Sequence, residues 1–280
     1  MRPPGRLFVV ATPIGNLGDL TPRAIETLRA VDVVAAEDTR VTRRLLAHAG
    51  IHTRLLSYRD ANEAKLAPEL VRRMSQGESV ALVSDAGTPA VSDPGYRLVR
   101  AAAEAGLEVV TIPGPSAVIA LLSISGLPTD RFSFEGFPPT ARGARTALLG
   151  ALRGADRTVV FYESPRRVVA FLHEVAAALG DPEVSVGREL TKLHEEVLRG
   201  RASEVAERLA AKGPRGELAI AVHIPATTSD VAGDDDLTEE VRTLVEAGLS
   251  ARDIAERMKP RGVSRRRVYD IVSTFRDERG

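Results

Sequence analysis

The sequence has no cysteine, which excludes disulfides, thiolate zinc sites and cysteine nucleophiles and fits a reducing compartment. It has no apolar run approaching the ~20 residues of a membrane-spanning helix. Its start, Met1-Arg2-Pro3-Pro4-Gly5-Arg6, enters a strand-like stretch with no apolar leader, so a cytoplasmic chain with no membrane partner is expected. It also has no excess of charge: Lys+Arg and Asp+Glu are both 38, so only a local patch could hold nucleic acid. The common chemical fingerprints are missing too. Gly15-Asn16-Leu17-Gly18 is not GxGxxG, there is no GxxxxGK[ST] or GxSxG, and the five histidines make no HExxH, so no metal is expected.

What is present is 280 residues, 44% of them hydrophobic, enough for packed cores in about two domains. Short β-branched runs at Leu7–Ala11, Val31–Ala36, Val80–Ser84 and Glu108–Ile112 alternate with helical patterns at Thr21–Ala30, Thr39–Ala49 and Glu63–Gln76. That alternation predicts an α/β unit with a largely parallel sheet. Gly50, Gly77 and Gly106 each follow a helical pattern, where a left-handed cap is expected. A second unit alternates in the same way, with strands at Val159–Tyr162, Val184–Arg188 and Glu217–Ile224 and helices at Pro165–Leu179 and Ala202–Ala211. The division expected is a lobe over 1–117, a lobe over 118–226, a small, polar, acidic linker over 227–236 and an all-helical piece over 237–280. In that last piece Ser250 and Ser264 are expected to cap two helices in a helix-turn-helix outline.

Several strand-to-loop transitions are too rich in Gly, Pro and Asp for ordinary turns. They are Ala11–Leu17, Ser84–Pro89 with Ser92–Tyr96, and Pro113–Ala117. Loops beyond the carboxyl ends of a parallel sheet converge on one crevice, and small residues let a ligand approach the backbone. Ala35-Ala36-Glu37-Asp38-Thr39-Arg40 ends another strand; Asp38 reads as a helix cap, leaving Glu37 and Arg40 toward the crevice. Phe161–Arg167 contains Ser164-Pro165, a natural helix start, and Gly187–Lys192 is a charged cluster after a strand.

Taken in order, ATPIGNLGDLTPRAIETL, AAEDTR, ALVSDAGTPAVSDPGYRLV, PGPSA, GLPTDRFSFEGFPP, FYESPRR and RELTK resemble the motifs of the ribosomal RNA small subunit methyltransferase I family, over about residues 6–225. The resemblance implies the two-lobed tetrapyrrole-methylase-like (class III methyltransferase) fold with S-adenosyl-L-methionine between α/β lobes, followed here by the small all-helical C-terminal domain. It also implies a homodimer. The reaction implied is 2'-O-methylation of a cytidine near the decoding site of 16S ribosomal RNA, with the small ribosomal subunit as partner. By analogy Pro13, Asp85, Ala86, Gly87, Thr88, Pro89, Val91, Ser116, Ala117 and Tyr162 would border the cofactor. A Thr12–Asn16 loop less Gly-rich than that of tetrapyrrole methylases favours RNA over a porphyrinoid.

Methyl transfer from a sulfonium needs chiefly an in-line hydroxyl and help with its proton or developing charge. Glu37, Asp38, Glu189 and Lys192 are the candidates for that help. Arg40, Arg166, Arg167 and Arg188 suit phosphate contacts. Between Arg252 and Arg267 seven basic residues face two acidic ones, and Arg265, Arg266 and Arg267 close that stripe as candidates for RNA backbone binding. Two alternatives remain: a methyltransferase of a tetrapyrrole or other small molecule, and a non-catalytic RNA-binding assembly factor.

Overall fold

The computed structural model describes residues 3–226, 231–259, 263 and 265–277. The first sheet holds β1 (Leu7–Val10), β2 (Val33–Ala36), β3 (Leu55–Ser57), β4 (Val80–Val83) and β5 (Val109–Ile112). Every neighbouring pair is parallel, in the order β3-β2-β4-β1-β5. β2 and β4 are buried along their whole length, which is why they read as unbroken apolar runs rather than alternating ones.

Helices cover both faces. α1 (Pro22–Ala30) and α2 (Thr39–His48) pack Ala24, Leu28, Leu45 and Leu46 on one side. α3 (Asp60–Ser75) and α4 (Tyr96–Glu104) pack Leu70, Met74 and Leu98 on the other. Local chemistry sets their ends. Thr21 caps α1 just before Pro22, and the Asp38 carboxylate accepts the Arg40 amide at the start of α2. Gly50, Gly77 and Gly106 follow the helix ends with φ of +62°, +100° and +69°, as expected.

The topology creates the crevice. The chain leaves β1 toward β2 on one side of the sheet, whereas it leaves the adjacent strand β4 toward β5 on the other. The loops after β1 and β4 therefore part at a switch point, where α/β sheets bind ligands.

The second lobe departs from the expected repetition of the first. It comprises α5 (Ala117–Ser125), β6 (Phe132–Phe134), α6 (Arg142–Ala151), β7 (Arg157–Glu163), α7 (Val168–Leu179), β8 (Glu183–Arg188), β9 (Glu196–Arg201), α8 (Ala202–Lys212) and β10 (Leu218–Ile224). The strand order is β6-β7-β10-β8-β9, and only β6 and β7 are parallel. β9 has no clear sequence signal because EVLRGR is an edge strand with only two apolar residues, and it turns back on β8 as a hairpin. α7 starts at Val168, not Pro165: the Ser164 carbonyl accepts from both Arg167 and Val168, so Ser164–Arg167 form a turn first. α6, α7 and α8 close one face of this sheet over Phe161, Phe171 and Leu209. α5 packs on the other face through Val118, Leu121 and Leu122, meeting Ile14 of the first lobe.

From Pro225 onward the chain forms a second compact unit. α9 (Val231–Glu246), α10 (Ala251–Met258) and α11 (Arg265–Asp277) share a core of Val241, Ile254, Met258, Val268 and Ile271. Ser250 caps α10, accepting the Asp253 amide, whereas Ser264 lies outside the described residues. The linker is shorter than the 227–236 expected, because α9 already begins at Val231. Three consecutive aspartates suggest a polar linker, yet near a helix N-terminus negative charge is favourable. No described helix is long and apolar enough to cross a membrane.

Candidate active site

The loops after β1 and β4 are tied together. The Thr12 amide donates to the Gly87 carbonyl at 2.9 Å and the Gly87 amide to the Thr12 carbonyl at 3.1 Å. The Thr12 hydroxyl donates to Ser84 O, and Thr88 Oγ1 donates to Pro115 O, bringing in the loop after β5. Between these loops and the second lobe lies a cleft of about 400 Å³. Ile14, Gly87, Val91 and Asp93 form part of one side; Phe137, Tyr162, Leu190 and Glu217 form part of the other. Phe134 and Phe137 meet Tyr162 edge-on at 4.8 and 5.6 Å, fixing its ring.

Of the residues expected at a cofactor, Ala86, Gly87, Thr88, Val91, Ser116, Ala117 and Tyr162 line this cleft. Pro13 and Asp85 line a second cavity of about 240 Å³ in the first lobe. Pro89 belongs to the same loop but to neither wall. Sequence reasoning missed Asp93, Phe137, Gly187, Leu190 and Glu217 on the cleft wall. Asp93 was within reach, since it sits in the SDPG stretch already singled out. Ala90 and Ser92, close to it in the chain, adopt φ of +68° and +64°, strain that a non-glycine loop carries where its shape is needed. Phe137, Gly187 and Leu190 lie within motifs already quoted, but nothing local marked them as cleft residues; pairing of β7, β8 and β10 brings Gly187 and Tyr162 to one wall.

The four catalytic candidates separate into two groups. Asp38 is bound by the Arg40 guanidinium, its Oδ2 2.6 Å from Arg40 Nη2, and those hydrogen bonds hold its carboxyl below the usual range. Glu189 accepts the Glu217 amide and the Lys192 ammonium, each at 2.9 Å, and both lower its carboxyl. Lys192 also reaches Glu217 at 3.1 Å; burial opposes its charge, but the two carboxylates outweigh that and keep it a cation. A Cβ on Gly15 would lie 2.4 Å from Lys192 Cγ, so the first-lobe loop presses directly on this second-lobe side chain.

Glu37 behaves in the opposite way. Burial, with the charges of Asp85, Asp93 and Asp60, raises its carboxyl against a hydrogen bond from the Asp85 amide. Burial likewise raises Asp85 and Asp93, with Asp38 adding repulsion at the first and Asp85 and Asp60 at the second. Glu37 lines neither cavity; its carboxylate accepts from the Asp85 amide at 3.4 Å and steadies that loop. Asp93 stands on the cleft wall near Ser84, which opposes the rise of its carboxyl and whose hydroxyl donates to Ala86 O.

The arginines also divide. Arg40 is exposed, though paired with Asp38, and Arg166 is exposed with no ion pair among the described residues. Arg167 instead donates to the fully buried Glu163 at 2.8 Å, and Arg188 is 3.0 Å from Glu196. These two are structural partners of carboxylates rather than free phosphate ligands. In the C-terminal unit Arg265 stacks over the Tyr269 ring at 5.6 Å; Arg267 is exposed, and the side chain of Arg266 lies outside the described part of the structure.

The fold that frames this cleft is that of the methylases. Residues 6–206 match the family of Tetrapyrrole (Corrin/Porphyrin) Methylases. A uroporphyrin-III C-methyl transferase from Thermus thermophilus, solved in complex with S-adenyl homocysteine, shares the fold at a TM-score of 0.55 and 22% identity, covering 79% of this chain and 98% of that one. The Synechocystis ribosomal RNA small subunit methyltransferase I is 44% identical across 95% of this chain and 97% of its own length. The Xylella fastidiosa protein of the same name is 52% identical over 75% of this chain and 77% of its own. The chain belongs to the ribosomal RNA small subunit methyltransferase I family, within the tetrapyrrole methylases.

Proposed function

We propose that this protein transfers a methyl group from S-adenosylmethionine to the 2'-hydroxyl of a cytidine in small-subunit ribosomal RNA, near the decoding site. The observation that carries the reading is a cleft between two lobes in a chain 44% identical to an enzyme named for this RNA over nearly its whole length. The cleft fits the cofactor: its volume suits a nucleoside with an amino-acid arm, and Gly87, Ala117, Gly187 and Ala219 leave backbone open to it. Tyr162 and Phe137 offer apolar faces, and Asp93 and Glu217 offer acceptors for hydroxyl or ammonium groups. When bound, the cofactor supplies an electrophilic methyl on a positively charged sulfur.

The chain's own residues divide the remaining work. Asp93, on the cleft wall and raised by burial, is the proton acceptor in this reading. Lys192 lines neither cavity; paired with Glu189 and Glu217, it offsets carboxylate charge beside the cleft that would otherwise oppose a developing alkoxide. Arg166, exposed and without an ion pair among the described residues, offers its guanidinium to a phosphate, whereas Arg40 is held by Asp38; the exposed Arg252, Arg257, Lys259, Arg265 and Arg267 extend the phosphate-binding role in the C-terminal unit.

A homodimer accounts for α5. This helix is apolar around its circumference; its inner side packs on the sheet, while Ile119 and Ile124 remain 54% and 39% exposed. A ribosomal substrate places the enzyme in the cytoplasm. Incubation with methyl-labelled S-adenosylmethionine and either free 16S RNA or intact small subunits tests the reading. Label is expected in one nucleotide whose 3'-linkage resists alkali, as only a 2'-O-methyl produces; label in no RNA, or on a base, would overturn it.

A further inference from the structure

The second cavity is separate from the cleft assigned to the cofactor, although Pro13 and Asp85, expected at the cofactor, line it, and the two share a wall. Ser84 and Asp85 line the cavity, and Ala86, Gly87 and Thr88, the next residues of the same loop, line the cleft. Leu17 and Val41 flank the cavity and leave 45% and 39% of their surfaces exposed, an open pair of apolar walls. Arg44 also lines it, exposed and without an ion pair among the described residues. Asp85 holds the Asp38 amide with one carboxylate oxygen at 2.9 Å; its other oxygen makes no hydrogen bond among the described residues.

A nucleotide turned out of a strand needs three things from a protein: apolar surfaces for the faces of its base, a polar group matched to its edge, and a cation for its phosphate. This cavity offers all three, and at about 240 Å³ it holds one base rather than a stacked pair. The sugar of a base seated there would begin at the partition, beyond which the methyl donor binds. An ionised carboxylate only accepts, so it favours a base presenting an exocyclic amine and repels a carbonyl oxygen in the same place.

We propose that this cavity receives the base of the target nucleotide, with the Asp85 carboxylate accepting its exocyclic amine and Arg44 meeting its phosphate. The proposal rests on the reading of the protein as an RNA ribose methyltransferase. It assigns base selection to the first lobe and separates it from cofactor binding.

The test uses the full chain, small subunits and S-adenosylhomocysteine as the cofactor probe. Val41→Trp, which fills the slot from an exposed position, is expected to lower kcat/KM for subunits by about tenfold or more, with S-adenosylhomocysteine affinity within about twofold of wild type. Asp85→Asn replaces an acceptor by a group that also donates. It should reduce the affinity ratio between RNA fragments carrying cytidine and uridine at the mapped target by about tenfold. An unchanged kcat/KM in Val41→Trp, a parallel loss of its S-adenosylhomocysteine binding, or an unchanged ratio in Asp85→Asn overturns the proposal. A wild-type protein that labels no RNA overturns the functional reading itself, and that is known before any variant is made.

Discussion

The backbone amide of Asp38 donates to the carboxylate of Asp85 at 2.9 Å, joining the ends of the neighbouring strands β2 and β4. The Asp85 amide in turn faces the Glu37 carboxylate at 3.4 Å. Acidic side chains are thus gathered at the crevice by backbone donors as much as by cations, and Glu37, Asp85 and Asp93 are all raised by burial. Such a cluster costs stability, because burial and mutual repulsion oppose its charge.

Asp93→Asn should separate that cost from the proton-accepting role proposed for Asp93. Because the folded-state carboxyl is raised, the folded protein holds that proton more tightly than the unfolded chain, and the stability this gives is lost as pH rises through the raised value. At pH 7 the substitution removes the penalty and should raise the melting midpoint by about 2 °C, a gain that fades toward pH 4. Its kcat should fall by about 100-fold or more, with S-adenosylhomocysteine affinity nearly unchanged. Scanning calorimetry across pH and single-turnover methylation check both, and full activity in the variant would remove Asp93 from the mechanism.

Lys192→Met should slow methyl transfer by about tenfold to 100-fold while changing folding stability by under ~1 kcal/mol. The ammonium is only part-buried and Glu217 is largely exposed, so its ion pairs contribute little to folding. Its loss nonetheless leaves two carboxylates beside the cleft without their cation. Denaturant titration alongside kcat measurement distinguishes this from a fold defect.

Arg167→Ala should act on stability rather than on RNA. It strips the partner from Glu163, whose side chain is fully buried, and removing one member of such a pair costs about 3–5 kcal/mol. Glu163→Gln, which keeps an acceptor for the Ser164 amide, should cost less. Urea unfolding measures the difference; a stable Arg167→Ala variant with weakened RNA binding would restore the sequence-based reading of this residue.

Truncation after Ala226 should leave a folded body, because the C-terminal unit has its own core. The truncated protein should keep its S-adenosylhomocysteine affinity but bind small subunits more weakly, with a shallower dependence of affinity on salt. A cut at 237 would sever α9 and confuse the result. Filter binding at several salt concentrations decides the point, and identical salt slopes would exclude RNA contacts from the tail.

The first lobe was legible in the sequence because its information is local. Buried parallel strands read as short apolar runs, and caps such as Thr21 and Asp38 and terminators such as Gly50 mark the helices between them. The Gly, Pro and Asp loops of the cleft were visible for the same reason, and Ala86, Gly87, Thr88, Ser116 and Ala117 do line it. The second lobe was less legible. Its mainly antiparallel sheet depends on pairing of distant segments, such as Leu218 with both Glu163 and Arg188.

The sequence by itself determined the class of fold, the family and the loops that line the cleft, since propensity, capping and motif order are properties of neighbouring residues. Tertiary structure alone decided which charges are free. Arg167 and Arg188 carry the same guanidinium as Arg44 and Arg166, but a buried Glu163 and a nearby Glu196 claim the first two. Likewise, Asp38 and Asp93 are the same acid: Arg40 lowers one, and burial beside other carboxylates raises the other. Ionisation depends on solvent and on charges within a few ångströms, and those distances exist only after the chain has folded.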